Sequence, residues 1–206
     1  MTRAKTRKAE RPYHHGDLRN ALLSKALELI EQQGPDAVSL RELAREVGVN
    51  HRAAYRHFED KRALTAAIAE AGYLALAEAL EACWAETKSK PPRARVEAMM
   101  DRYLELAFAS PARYRVTFGR RVNEDGRFPA LEPLAERAYR TLIEALGALR
   151  KASDAEVRNA VFALWSMAHG YLRLVWARRI RVRPELQTRY FRALAAPFLD
   201  GWEQNR

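Results

Sequence analysis

Cysteine is nearly absent from this chain: Cys83 is the only one in 206 residues. A disulfide framework is therefore excluded, and a reducing, cytoplasmic setting is expected. Trp84 is its neighbour, and Glu81 and Glu86 flank it. Acidic neighbours do not lower a thiol pKa, so a packed, inert thiol is expected rather than a redox sensor. Long apolar runs are missing too. None approaches the roughly eighteen consecutive residues of a membrane span. Period-two alternation never lasts long enough to build a strand, which points to an all-α fold. There is no internal repeat and no low-complexity tract. Catalytic signatures are also lacking: there is no HExxH, no Gly-rich phosphate loop and no GxSxG. An enzyme would have to rest on His169 alone, so none is expected. His14, His15 and Asp17 sit close in sequence. Adjacent residues rarely converge on one ion, and no other His or Cys is near, so neither a metal nor a cofactor is expected.

What is present is apolar enough to fold and strongly basic. Apolar residues make up 48% of the chain, which argues for a globular protein. The length allows one domain or two. Lys and Arg number 36 against 26 Asp and Glu, a net charge of +10. That balance favours polyanionic partners without choosing among DNA, RNA and membrane. Residues 1–12 concentrate the excess, with Arg3, Lys5, Arg7, Lys8 and Arg11 against Glu10. They hold no apolar run and do not read as a signal peptide. They read as a flexible basic arm for phosphates or a minor groove, or as a solubilising terminus.

The stretch Val38–Leu64 carries the strongest local signal. Ser39 is placed to accept from the backbone N–H of Glu42, and Glu42 to reach back to Ser39, as in a capping box. Leu40, Leu43, Ala44 and Val47 then share one helical face. Gly48 stands where a helix end needs a left-handed residue. Asn50 is a good N-cap for a second helix running to about Phe58. This is a helix-turn-helix, whose second helix is the usual reader of a major groove. Arg41, Arg52 and Lys61 each fall in the first turn of an expected helix, where the dipole disfavours cations. Three such placements in one motif point to an external anion, and DNA phosphates supply it. The other reading leaves them as solvated surface charges. Arg52 is the choice for direct readout of guanine, though it could equally grip a phosphate; His51, able to read a base acceptor or only to touch the sugar-phosphate, and Ala53 stand beside it at the start of the reading helix. Tyr55, His57 and Lys61 are expected to position the duplex through phosphates, unless Tyr55 is a core residue with its hydroxyl at the rim. Ser39, Arg41 and Asn50 complete the expected DNA-contacting set.

The run from Tyr13 to Leu64 resembles the DNA-binding domain of TetR-type bacterial transcriptional regulators. The matching pieces are YHHGDLRNALLSKALELI at 13–30, SLRELAREVGV at 39–49 and AAYRHFEDKRAL at 53–64. The spacing of Tyr55, Phe58 and Lys61, and the small pair Ala53–Ala54 before the tyrosine, carry the likeness. The resemblance implies that the rest of the chain is a variable helical domain that dimerises and often binds a small effector. It also implies phosphate contacts for Tyr55, His57 and Lys61. The sequence Trp165-x-x-x-His169-Gly170 is similar to one subgroup of such effector domains.

Beyond Lys61 the pattern continues as helices, about six of them: a long alanine-rich one to about Thr87, then Arg93–Phe108, Ser110–Phe118, Pro129–Arg150, Ser153–Ile180 and Pro184–Trp202. Gly170 in mid-helix costs about 1 kcal/mol relative to alanine, which suggests close approach of a helix or ligand. Met99, Tyr103, Phe118, Tyr139, Trp165 and His169 are candidate pocket residues, able to line an adaptable apolar site with a few polar fixings. They could equally pack only one another. Arg113, Arg115, Arg120 and Arg121 leave room for an anionic effector, or are merely solvated. Leu164, Ala168, Leu172 and Val175 form one stripe, and Tyr190, Leu194 and Phe198 another. Together they could build a four-helix dimer interface, or could face the subunit's own core. The expected organisation is an arm at 1–12, a DNA-binding domain at 13–60 and a helical body at 61–206. The expected function is a homodimeric, DNA-binding repressor released by a small, largely apolar effector. The alternatives are a nucleoid-associated DNA-binding protein without effector and, in a different class, an α-helical enzyme or a protein-interaction module.

Overall fold

The computed structural model describes residues 15–119 and 122–204, with only the backbone given for residues 15–17. The basic arm, the His14–His15–Asp17 group, Arg120 and Arg121 lie outside the described side chains. The elements are α1 (His15–Gln33), α2 (Leu40–Val47), α3 (His51–His57), α4 (Lys61–Glu86), α5 (Pro92–Ala109), α6 (Pro111–Thr117), α7 (Leu131–Gly147), α8 (Asp154–Trp176) and α9 (Gln187–Gln204). A 3-10 turn at Pro184–Leu186 leads into α9. No strand occurs among the described residues, and the class is all-α. The chain divides into two compact units at Leu64–Thr65. That is one turn inside α4 rather than at its first residue.

The first unit, here called the head, is built on α1, α2 and α3. Leu22, Leu43 and Ala54, one from each helix, are completely buried, with Phe58 and Leu64 closing the same core. Gly48 ends α2 at φ 78°. Its N–H and that of Val49 close on the carbonyls of Arg45 and Ala44 at 3.1 and 2.9 Å. A residue with a Cβ would be strained there. The capping box expected at Ser39 is only half formed. Ser39 Oγ accepts from Glu42 N at 3.2 Å, but the Glu42 carboxylate lies 4.0 Å from Arg45 Nη2 instead of returning to the cap. The reciprocal box exists elsewhere, at Ser153 and Glu156 on α8.

The second unit, the body, runs from Thr65. Its core takes Leu80 from α4, Met99 and Leu104 from α5, Leu146 from α7, Leu172 from α8 and Phe191 and Leu199 from α9. Side chains pin the helices at their rims. Arg137 on α7 grips Glu81 on α4 with both forks, Nε at 2.6 Å. Arg192 on α9 does the same to Asp101 on α5. Trp202 Nε1 donates to the Leu146 carbonyl at 3.1 Å. By length and apolar content α4 could cross a bilayer, but Leu76, Ala77, Leu80 and Cys83 spend that apolar surface on the body's core. Burial pushes the Cys83 thiol above its ordinary pKa, so it is an inert core group.

The apolar stripe of α8 turns inward. Leu164, Ala168 and Leu172 are buried within this one chain, and Val175 and Phe198 pack against the same core. Of the two readings open for the stripe, burial here favours the subunit's own core over surface kept for a partner. The dominant apolar face of an amphipathic helix goes to its own core first. What α8 and α9 leave exposed is a different set: Phe162, Leu174, Tyr190 and Leu194.

Candidate functional site

In the head, the N-terminal ends of α2 and α3 open on one concavity of about 630 Å³. Ser39, Arg41, Asn50 and His51 all line it. Two of these do structural work as well. Asn50 Oδ1 accepts from Arg52 N at 2.9 Å, and Ser39 Oγ caps α2. The Asn50 amide N–H₂ and the Ser39 hydroxyl proton stay available as donors. Arg52 is exposed on the first turn of α3, Arg41 on that of α2. Tyr55 is half exposed, far more than a core tyrosine would be. Ala53 and His57 are half-buried, which puts them at the margin of the surface. Lys61 has a role the sequence did not show. Its ammonium donates to the Asp36 carbonyl at 2.6 Å, so it braces the loop after α1 and is not a cation kept only for phosphate.

The body holds a half-open cavity of about 540 Å³ lined by α4, the end of α6, α7 and α8. That volume suits a drug-sized molecule. Phe118, Trp165 and His169 line it, as expected from sequence. Tyr103 and Tyr139 line an adjoining groove of about 310 Å³ that shares Phe118 and Trp165. Met99 does not belong: it is buried among core residues beside a gap of only about 30 Å³. Tyr73, Asn123, Glu132 and Ser166 also line the main cavity and escaped the sequence reading. Asn123 ties the loop before α7 together, donating to Glu132 Oε2 at 2.5 Å and accepting from Phe128 N at 2.6 Å. An aromatic in the alanine-rich α4 was the one sequence signal for Tyr73.

A buried polar network stands beside the cavity. Tyr103 Oη meets Trp165 Nε1 at 3.1 Å, Tyr114 Oη at 3.0 Å and His169 Nε2 at 3.0 Å. The indole can only donate, and Tyr103 has one proton to give. Burial, with Arg173 adding to it, pushes the His169 pKa down to about 4. A neutral ring accepting at Nε2 carries its proton on Nδ1. The consistent order is then Tyr114 to Tyr103 to His169. Burial raises both phenol pKa values, so both keep their protons. At the cavity's edge, a Cβ on Gly72 of α4 would lie 2.0 Å from Thr117 Oγ1 of α6. That close approach is what this glycine allows. Gly170 has nothing within 4 Å of such a Cβ among the described residues, so none of them makes the approach expected there.

Comparison with known proteins finds two family domains along the chain. Residues 22–68 match the bacterial regulatory proteins of the tetR family, and residues 96–198 match the tetracyclin repressor-like C-terminal domain. The chain is 44% identical over 52 residues to the tetracycline repressor protein class A from transposon 1721 of Escherichia coli, covering 25% of this chain and 24% of that protein. The match thus spans about a quarter of that relative's length. A solved protein of unknown function from Rhodococcus sp. RHA1 is 30% identical, covers 95% of this chain and 100% of its own, and superposes with a TM-score of 0.76. A TetR family transcriptional regulator from Thermus thermophilus shares the fold at 19% identity, with 89% and 97% coverage and a TM-score of 0.67. None of these singles out the subgroup similar in Trp165-x-x-x-His169-Gly170. With both family domains matched in order along one chain, the protein belongs to the TetR family of DNA-binding transcriptional regulators, which are not enzymes.

Proposed function

We propose that this regulator is a cytoplasmic homodimeric repressor, released from a palindromic operator by a small, largely apolar effector bound in the body. The observation that carries this reading is the composition of the cavity wall. Ala69 and Tyr73 of α4 form one side of it, and α4 begins in the head at Lys61. A ligand that prefers one setting of α4 acts on DNA binding through its differential affinity for the two states. In the head, Arg52 reads guanine, while Arg41, Tyr55 and His57 hold phosphates. Ser39, Asn50, His51 and Ala53 complete the contact surface, and Lys61 adds charge at its edge.

The dimer uses the exposed side of α8 and α9 rather than the buried stripe. Phe162, Ser166, Gly170 and Leu174 follow one another along α8, and Tyr190 and Leu194 stand exposed on α9. Gly170 lets a partner helix approach closely. Two such heads sit roughly 34–36 Å apart, one turn of DNA. A screen of apolar metabolites and drugs tests the reading. An effector should raise the melting temperature and weaken binding to the chain's own upstream DNA together. Ligands that stabilise the body but leave DNA affinity unchanged would favour a nucleoid-type DNA-binding protein without an effector. Sedimentation that stays monomeric at micromolar concentration would remove the dimer.

A further inference from the structure

Between α4, α5 and α6 lies a separate recess of about 100 Å³. Its walls are apolar and aromatic, including Leu76, Leu106, Tyr103 and Phe118. Arg113 also lines it. Its Nε is shut off from solvent and has no acceptor. Arg95 and Arg150 share that feature, but their guanidinium groups are otherwise engaged. Arg95 lies 3.1 Å over the Trp84 ring and donates to the Trp84 carbonyl at 2.7 Å. Arg150 pairs with Glu156 at 2.8 Å. The partly buried Arg93 has Glu97 at 2.8 Å and Asp200 at 3.0 Å. The guanidinium of Arg113 has no counter-ion and no ring among the described residues. Only its backbone is engaged, the carbonyl accepting from Thr117 Oγ1 at 2.9 Å.

A half-buried cation against apolar walls, with no counter-ion, is an unfavourable arrangement for an empty protein. The open end of the guanidinium calls for a partner from outside the chain, and its planar fork matches a carboxylate. We propose that Arg113 anchors the carboxylate of the effector, whose apolar stem lies along Leu76, Leu106 and Phe118. The effector is then an amphipathic acid with its charge at the α6 end. Thr117 and Phe118 are walls of both the recess and the main cavity, so the bound acid lies directly beside that cavity. This assignment rests on the effector reading above and names the ligand class for it.

The test compares butanoate, hexanoate and octanoate with the alcohols of the same length, titrated into the full chain by calorimetry and thermal melting. The acids should bind on the order of tenfold more tightly than their alcohols, as expected for a charge-assisted pair. Arg113→Gln should abolish that preference, leave alcohol binding in place and not lower the melting temperature of the empty protein. Arg113→Lys should keep part of the preference. Should neither variant fold, added chloride on the wild-type chain should still weaken the acids and spare the alcohols. Equal binding of acid and alcohol, no binding by any acid, or a preference that survives Arg113→Gln overturns the proposal. Acids that bind through Arg113 but leave operator affinity unchanged keep the site and overturn release by an effector.

Discussion

The head and the body put their polar groups in opposite places. The head holds a dry core of Leu22, Leu43, Ala54 and Phe58, and turns Arg41, Asn50, His51, Arg52 and Tyr55 outward. The body keeps two tyrosines, a histidine and an indole bonded to one another inside, next to open volume. A surface that must hold a groove partner needs rigid helix ends and free donors. A unit that must admit a molecule needs space and a few oriented groups. The difference predicts that damage to one unit leaves the other legible. Leu43→Ala should cost about 2–5 kcal/mol, the usual penalty for a cavity in a small core. It should abolish DNA binding while the near-ultraviolet dichroism of the body's aromatics persists. Loss of both signals in one transition would show that the units fold as one.

Tyr103→Phe is the matching injury to the body. It takes the shared partner from Trp165, Tyr114 and His169 at once. Leaving those buried groups unpaired should cost about 1–3 kcal/mol, appearing in the body's aromatic signal. Non-specific DNA binding by the head should persist at a temperature where the variant remains folded. If Tyr103→Phe melts like the parent, the network is decorative and the body is an ordinary apolar core.

The two units also differ in how much their sequences disclose. The head is governed by local rules. Gly48 at positive φ, Asn50 as cap and the i, i+3, i+4 spacing of Leu40, Leu43 and Ala44 are each set by neighbours within a turn, so α2 and α3 could be placed to a residue. The bracing role of Lys61 was not legible, because its partner, the Asp36 carbonyl, lies far from it in sequence. The body's helices were legible for the same local reasons, down to Pro111 opening α6. Its cavity was less so. Phe118, Trp165 and His169 were found by residue type, but Tyr73, Asn123 and Glu132 join them only through tertiary packing. The inward stripe of α8 was visible as a stripe. Periodicity says that a face is apolar, not which neighbour covers it, and so the sequence left Leu164 and Leu172 open to a partner or to their own core, which holds them.

Within the head, the division between reading and gripping can be broken by a pair of substitutions. Arg52→Ala should cost about 1–3 kcal/mol on the true operator and relax preference at one position per half-site. Arg41→Ala should weaken all sequences alike and lower the salt slope by about one per head. Lys61→Ala should combine a similar slope change with a lower melting temperature, because it also unties the Asp36 carbonyl. Equal proportional losses of specific and non-specific binding for Arg52 and Arg41 would erase the distinction between them.

The smallest expected effect belongs to His169 and concerns pH. Its ordinary pKa is 6.5, and in the folded body burial holds it at about 4. Between those values the unfolded chain takes up a proton that the folded chain refuses. The stability this group confers is therefore fully present above pH 6.5, declines as the pH falls through the window, and changes no further below 4. The ring is partly open to water, so screening reduces the span to about 1 kcal/mol. Glu156 titrates lower. The Ser153 hydroxyl and N–H, with Arg150, hold its carboxyl down to about 2 from an ordinary 4.5, so its contribution fades only as the pH falls below that ordinary value. The two windows scarcely overlap, and melting of the body between pH 7 and 5 reads His169. His169→Gln keeps an acceptor for Tyr103 but cannot take a proton in this range, and it should flatten that segment. A slope that survives the substitution, or a wild-type body indifferent to pH there, would mean that His169 is not the neutral end of the tyrosine chain.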